Sequence, residues 1–229
     1  MPALLIAVYR SALIGAVVLH ATRLLSDTRH ATHAVEGLIT LLDRIETPRD
    51  LDDVLVWLDG PGLAAAPPVR TTILTERKTF VPHVTLVPSG STLVFPNADG
   101  FDHNVFSRAE PLAFDLGLYG RGESRDVTVS RPGVLRLYCN VHAKMSAIVL
   151  VHATRFATRA DRTGHFALGD VPAGNYTLHV WHERGGAQQV ALRVPLTQAV
   201  RVTLDARAYR ALPHLDKVGK PYDARGRRY

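Results

Sequence analysis

The sequence predicts an all-β protein, and three observations carry that prediction. Runs of four to nine residues rich in Val, Ile, Leu and aromatic side chains recur between residues 35 and 206. Gly, Pro, Asn, Asp or Ser punctuates them at strand-like spacing. Through the middle of the chain no helical apolar period persists beyond two turns. Strands at this spacing build antiparallel sandwiches or barrels.

In chain order, VEGLITLLD (35–43) and VLVWLDG (54–60) are the first strand candidates, and LDGPGLAAAPPVR (58–70) is a Gly/Pro/Ala-rich loop or linker. HVTLV, TLVFPN, HNVFS, SRDVTVS, GVLRLYC and SAIVLVH follow, separated by Pro88, Gly90, Gly100, Gly122 and Pro132-Gly133. EPLAFDLGLYGRG (110–122) is long enough to connect two sheets. After His152 the texture changes: RTGHFALGDVPAGNYTLHVWHE (162–183) reads as strand, Gly/Pro turn, strand, and VALRV and AVRVTLDA extend the pattern. From about residue 207 the chain carries Arg207, Arg210, Lys217, Lys220, Arg225, Arg227 and Arg228 with few apolar residues, which predicts a solvated basic tail without a core of its own.

The 229 residues suit one large domain or two small ones, and an apolar fraction of 46% is enough for a packed core. A net charge of +6 fits an acidic protein partner or a membrane surface. No aromatic-plus-basic motif points to nucleic acid. The single Cys excludes an internal disulfide and any metal site that needs two thiolates. Near the amino terminus, Ser11–Ala21 is an apolar stretch between Arg10 and Arg23. It is short of the roughly 20 residues of a membrane span and matches the apolar core of a secretory signal. Cleavage after Ala21 or Ala34 would export the chain to a periplasm; an uncleaved segment would be its one membrane contact.

Both sulfur types meet in LYCNVHAKM (137–145). Two imidazoles, one thiolate and a distant thioether make a blue-copper electron-transfer site. Cys139, His142 and Met145 supply three of those donors. His103, at the start of HNVFS and after a Gly-containing loop, is the candidate for the fourth, because its strand can neighbour the one ending at Cys139. Such a donor set favours copper over zinc. Asn104 is placed to tune the sulfur, its side-chain amide reaching toward the Cys139 loop and its backbone N–H toward the thiolate. His83 is a weaker candidate for a fifth ligand. His179 and His182 lie three apart, on opposite faces of a strand, and His30, His33, His152, His165 and His214 have no companions that make a site.

With these residues in view, the sequence resembles the cupredoxins, the blue copper family of plastocyanin, amicyanin and azurin. VPSGSTLVFPNADGFDHNVFS and RPGVLRLYCNVHAKM carry the likeness, over about a third of the chain. The Cys-x2-His-x2-Met spacing resembles amicyanin-like members. The resemblance implies a Greek-key sandwich, one type 1 copper ion held by His103, Cys139, His142 and Met145, and electron passage through a partly exposed His142. The flanks resemble a carboxypeptidase regulatory-like (transthyretin-like) sandwich through Asp161, Gly164, Phe166, Pro172, Gly174 and Tyr176. The two modules together resemble bacterial proteins labelled methylamine utilization protein, a label that specifies no substrate.

The expected organisation is a signal-like segment (1–34), first strands of the regulatory-like sandwich and linker (35–70), a cupredoxin domain (71–151), the remainder of the regulatory-like sandwich (152–206) and a basic tail (207–229). The sequence favours a cupredoxin inserted into one discontinuous sandwich over two sandwiches in series. No Gly-x-Ser-x-Gly or His-Glu-x-x-His is present, so the flanking module reads as scaffold or docking unit. The expected function is a periplasmic one-electron carrier, not an enzyme, working with redox partners that present acidic faces. A copper chaperone or buffer using the same ligands, and a non-redox binding module, are the alternatives.

Overall fold

A computed structural model of the protein describes residues 31–222, apart from 46, 47, 49, 111, 212 and 213. The signal-like stretch Ser11–Ala21 lies outside the described residues. The amino-terminal flank supplies β1 (Thr32–Leu42) and β2 (Leu55–Asp59). The middle supplies β3 (Arg70–Thr72), β4 (Leu74–Glu76), β5 (Thr79–Val81), β6 (Val84–Pro88), β7 (Ser91–Pro96), β8 (His103–Ser107), β9 (Phe114–Tyr119), β10 (Ser124–Val129), β11 (Gly133–Tyr138) and β12 (Ser146–His152). The carboxy-terminal flank supplies β13 (Ala157–Arg159), β14 (His165–Pro172), β15 (Gly174–His182), β16 (Gly186–Val194) and β17 (Val200–Asp205). One 3-10 turn, Leu51–Asp53, is the sole helical element among the described residues.

The flanks pair with each other. One sheet has the order β14-β1-β17 and another β13-β2-β15-β16. Val35, Ile39, Val56, Leu58, Phe166, Leu178 and Leu204 belong to the core these flank strands share. The middle forms sheets β10-β7-β3 and β6-β12-β11-β8-β9, with the β4-β5 hairpin beside them, around a second core that includes Phe95, Leu135, Leu137 and Val149. The chain enters and leaves the middle by two segments lying side by side: Ala65 bridges Thr154, and the Arg155 amide donates to Ala64 O at 2.9 Å.

Several elements differ from the sequence prediction. β1 starts at Thr32, so it includes residues assigned to the leading segment, and Ala34 lies inside a paired strand. The stretch expected to connect sheets carries β9, an edge strand paired with β8. Its Leu118 is 60% exposed, which is why apolar burial did not mark it. Three of the sheets are mixed rather than antiparallel: β1–β17, β3–β7 and β6–β12 are parallel pairs.

Two strands are apolar on both faces. In β12, Ala147, Val149 and Val151 enter the middle core, while Ile148 and Leu150 face a third cluster. In β2, Val56 and Leu58 enter the flank core, and Leu55 and Trp57 face that same third cluster. Val84 and Trp181 complete it. The period of two in side-chain direction thus welds the two sandwiches through an apolar seam.

Polar contacts rim the seam. His83 Nε2 lies 2.7 Å from Glu183, which also pairs with Arg136 at 3.4 Å. His83 Nδ1 lies 3.2 Å from Ser146 O. With acceptors on both ring nitrogens, the imidazolium fits best, and the hydrogen bond to Glu183 is the main cause of a raised His83 pKa. The same bond leads the causes that lower Glu183. The His83 contribution is complete below its unfolded pKa and lost as pH rises through its elevated folded value. The Glu183 contribution is present above its unfolded pKa and lost as pH falls through its depressed value. Between about pH 6 and pH 9, stability is expected to fall by less than about 1 kcal/mol through this partly exposed pair. Urea midpoints of wild type and His83→Gln check this: the substitution flattens the slope, and an unchanged slope assigns the titration elsewhere.

The Asp-x-x-Gly-x-Phe signature has a local cause. Asp161 Oδ1 accepts from the Thr163 and His165 amides at 2.8 and 3.0 Å, and Phe166 joins the flank core. Gly164 has φ +86, and a Cβ there would collide with the Ile39 carbonyl. Gly164→Ala is expected to cost about 1–3 kcal/mol, read as a lowered melting temperature.

Candidate metal centre

Three donors from two distant segments converge at one end of the middle sandwich. His103 opens β8, Cys139 follows β11, and His142 sits on the loop between β11 and β12. Cys139 Sγ lies 3.6 Å from His103 Nδ1 and 3.7 Å from His142 Nδ1. The three donor atoms all lie within 4.8 Å of one another. His103 and Cys139 are fully buried, and His142 is half-buried.

Backbone bonds close the ligand loop. The Cys139 amide donates to Met145 O, and the Met145 amide donates to His142 O, each at 3.1 Å. Met145 is 1% exposed and belongs to the same core as Cys139. Both imidazoles turn Nδ1 toward the sulfur. For His103 the cause is visible: its Nε2 lies 2.8 Å from Asp99, so the Nε2–H tautomer is held and Nδ1 keeps its lone pair.

Burial lowers the His103 pKa, which keeps its ring neutral, and Asp99 partly offsets this. Burial alone would raise the Asp99 carboxyl. The Lys78 amide, His103 and the Arg77 amide outweigh it and hold Asp99 below its ordinary value. Burial pushes the Cys139 thiol up, although the backbone N–H groups of Asn104, Val141 and His142 face the sulfur and favour a thiolate. The neutral His103 ring, the His142 imidazole, a thiol ringed by N–H donors and a buried thioether nearby form a soft, compact donor set suited to one copper-sized cation.

Two curated relatives match part of the chain. Plastocyanins from Ulva arasakii and Ulva pertusa are each 36% identical over 73 residues, covering 28% of this chain and 74% of their own. The chain belongs to the plastocyanin family.

No family model matches the chain. Among solved structures, the purple cupredoxin from Nitrosopumilus maritimus is 21% identical, covering 36% of this chain and 99% of that one, with a TM-score of 0.32. A copper-containing nitrite reductase from Thermus scotoductus is 24% identical, covering 49% of this chain and 28% of that one, with a TM-score of 0.35. A reduced amicyanin variant is 17% identical, covering 42% of this chain and 98% of that one, with a TM-score of 0.35.

Within this plastocyanin-family site, Asn104 departs from expectation. Its side-chain amide donates to Asp115 and to Gly117 O on β9, at 2.6 and 2.9 Å, not across to the ligand loop. The β8–β9 pairing places those acceptors closer than the loop. Its backbone N–H does face the sulfur. His83 stands apart from the donor cluster, engaged by Glu183 and Ser146. His179 and His182 pair with different carboxylates, Asp59 and Asp50. Asp99 escaped the sequence prediction. Its one signal was a carboxylate four residues before a ligand candidate, in a loop where spacing does not fix direction.

The tail is also more than solvated charge. Lys217 Nζ pairs with Asp115 at 2.5 Å, and the His214 ring stacks on Tyr138 at 4.3 Å. Aromatic residues interspersed among the basic ones are what anchor it.

Proposed function

We propose that His103, Cys139, His142 and Met145 hold one type 1 copper ion and that the chain is a one-electron carrier. The observation that carries this reading is the approach of both imidazole Nδ1 atoms to one cysteine sulfur, at 3.6 and 3.7 Å. Copper bound there supplies one-electron exchange between Cu(I) and Cu(II). The protein's part is to hold the donors nearly still. Asp99 fixes the His103 ring, and the two loop hydrogen bonds fix Cys139 against Met145. Donors that move little require little reorganisation when charge changes. The half-buried His142 ring, beside the 42%-exposed Phe101 at 5.4 Å, gives electrons a short way out.

In this reading no substrate is transformed, so the protein is not an enzyme. Its net charge of +6 suits weak, salt-sensitive docking to acidic redox proteins. The sequence of Ser11–Ala21 supports export to a periplasm. The Asp161–Tyr176 signature supports a regulatory-like, transthyretin-like identity for the flanking sandwich.

Copper titration of the purified chain followed by voltammetry tests the proposal. One copper per chain, a strong visible thiolate-to-copper band and a reversible one-electron wave are expected. Rapid surrender of Cu(I) to an acceptor without a reversible wave would favour a chaperone or buffer. Failure to bind copper would leave a non-redox module.

A further inference from the structure

Residues 214–222 lie against the ligand loop. Asp216 Oδ1 accepts from the Val218 and Lys220 amides at 2.9 and 2.8 Å, and the Asp216 amide donates to Lys220 O at 2.8 Å. Asp216 is 1% exposed, so this segment has a shape of its own where it lands.

It touches the metal centre from two sides. On one side, the Tyr222 hydroxyl donates to Cys139 O at 2.7 Å, and the Lys217 amide donates to the Asn140 side-chain oxygen at 3.0 Å. Cys139 is therefore held at its N–H by Met145 O and at its C=O by Tyr222. On the other side, Lys217 Nζ pairs with Asp115, whose second oxygen accepts from the Asn104 amide at 2.6 Å. Asn104 presents its own backbone N–H to the sulfur. The His214 ring completes the seat, stacked on Tyr138 and 5.1 Å from the Tyr222 ring.

We propose that residues 214–222 are a positioning strap for the thiolate: Tyr222 fixes the Cys139 peptide, and Lys217, through Asp115 and Asn104, fixes the donor on the far side of the sulfur. The strap ties the tail to the quality of the metal centre. Neither residue is a ligand; both act through groups that touch one. This inference deepens the copper reading and rests on it for its spectral consequence alone.

The test uses full-length Tyr222→Phe and Lys217→Ala, with Lys220→Ala as control. Lys220 carries the same charge on an exposed side chain. Amide hydrogen exchange of residues 103–107 and 139–146 is measured in the metal-free protein, and the visible band in the copper-loaded protein. Loss of one hydrogen bond is expected to speed exchange roughly 2–10-fold in Tyr222→Phe and Lys217→Ala, confined to that loop and β8. The band is expected to shift in both, and Lys220→Ala is expected to match wild type. Wild-type exchange in both variants, or an equal change in Lys220→Ala, overturns the proposal. Faster exchange with an unmoved band overturns it too, since the strap then only packs. If the wild type takes up no copper, the copper reading fails and the exchange result alone decides the strap.

Discussion

Cys139→Ser is expected to abolish the visible band and weaken copper binding by more than about 100-fold. That bound follows because loss of even an outer partner of a ligand commonly costs 10–100-fold, and here the central donor itself is replaced. Cys139 Sγ lies 3.6 and 3.7 Å from the Nδ1 atoms of the two imidazoles. A serine hydroxyl stays protonated at neutral pH and is a hard donor, so it replaces neither the charge nor the softness of a thiolate. The fold should survive. The Val141 N–H, 3.4 Å from the sulfur, finds an acceptor in a hydroxyl of similar size. Melting of the metal-free variant within about 1 kcal/mol of wild type, on the scale of one exchanged hydrogen bond, checks that half. Retained colour would refute the ligand assignment.

Trp181→Ala is expected to cost about 3–5 kcal/mol, the range for truncating a large buried aromatic. Trp181 is 8% exposed and packs in the seam with Leu55, Val84, Ile148 and Leu150. Its removal opens a cavity between two sheets, each pinned by its own core, so neither can close over it. The effect should fall on coupling as well as on stability. In urea, the copper band reports the middle sandwich, and the emission of Trp57, the other of the chain's two Trp, reports the flank. Wild type should lose both signals together; Trp181→Ala should lose them at separate midpoints. Coincident loss in the variant would mean that the linkers, not the seam, join the sandwiches.

The closeness of Cys139 and His142 was legible because Cys-x2-His is local: a short loop after a strand keeps the two together whatever the rest does. His103 was legible because it opens a strand beside a Gly-containing loop. Asp99 and the Asn104 side chain were not, since each depends on where a loop or a β9 register places an acceptor, and no sequence period encodes that. The same holds for Tyr222, which meets Cys139 across 83 residues. β9 hid because Gly117 and the outward Leu118 interrupt its apolar alternation, and β3 to β5 because three-residue strands are too short to show alternation. Conversely, the unbroken apolar runs LVWL and AIVLV carried information the alternation rule passes over. Each marks a strand covered on both faces, and together they locate the seam.

The pairing of the two flanks sets an order of events during synthesis. β1 and β2 are made first, yet every strand they pair with belongs to the carboxy-terminal third of the chain. On the order of a hundred residues must be added before those partners exist, which at ribosomal speed is roughly 5–20 s. In that interval the strands of the middle sandwich are all made, while the first two, rich in Val, Leu and Ile, wait without neighbours. A nascent chain of this design calls for a holdase on its leading end until the last strands arrive.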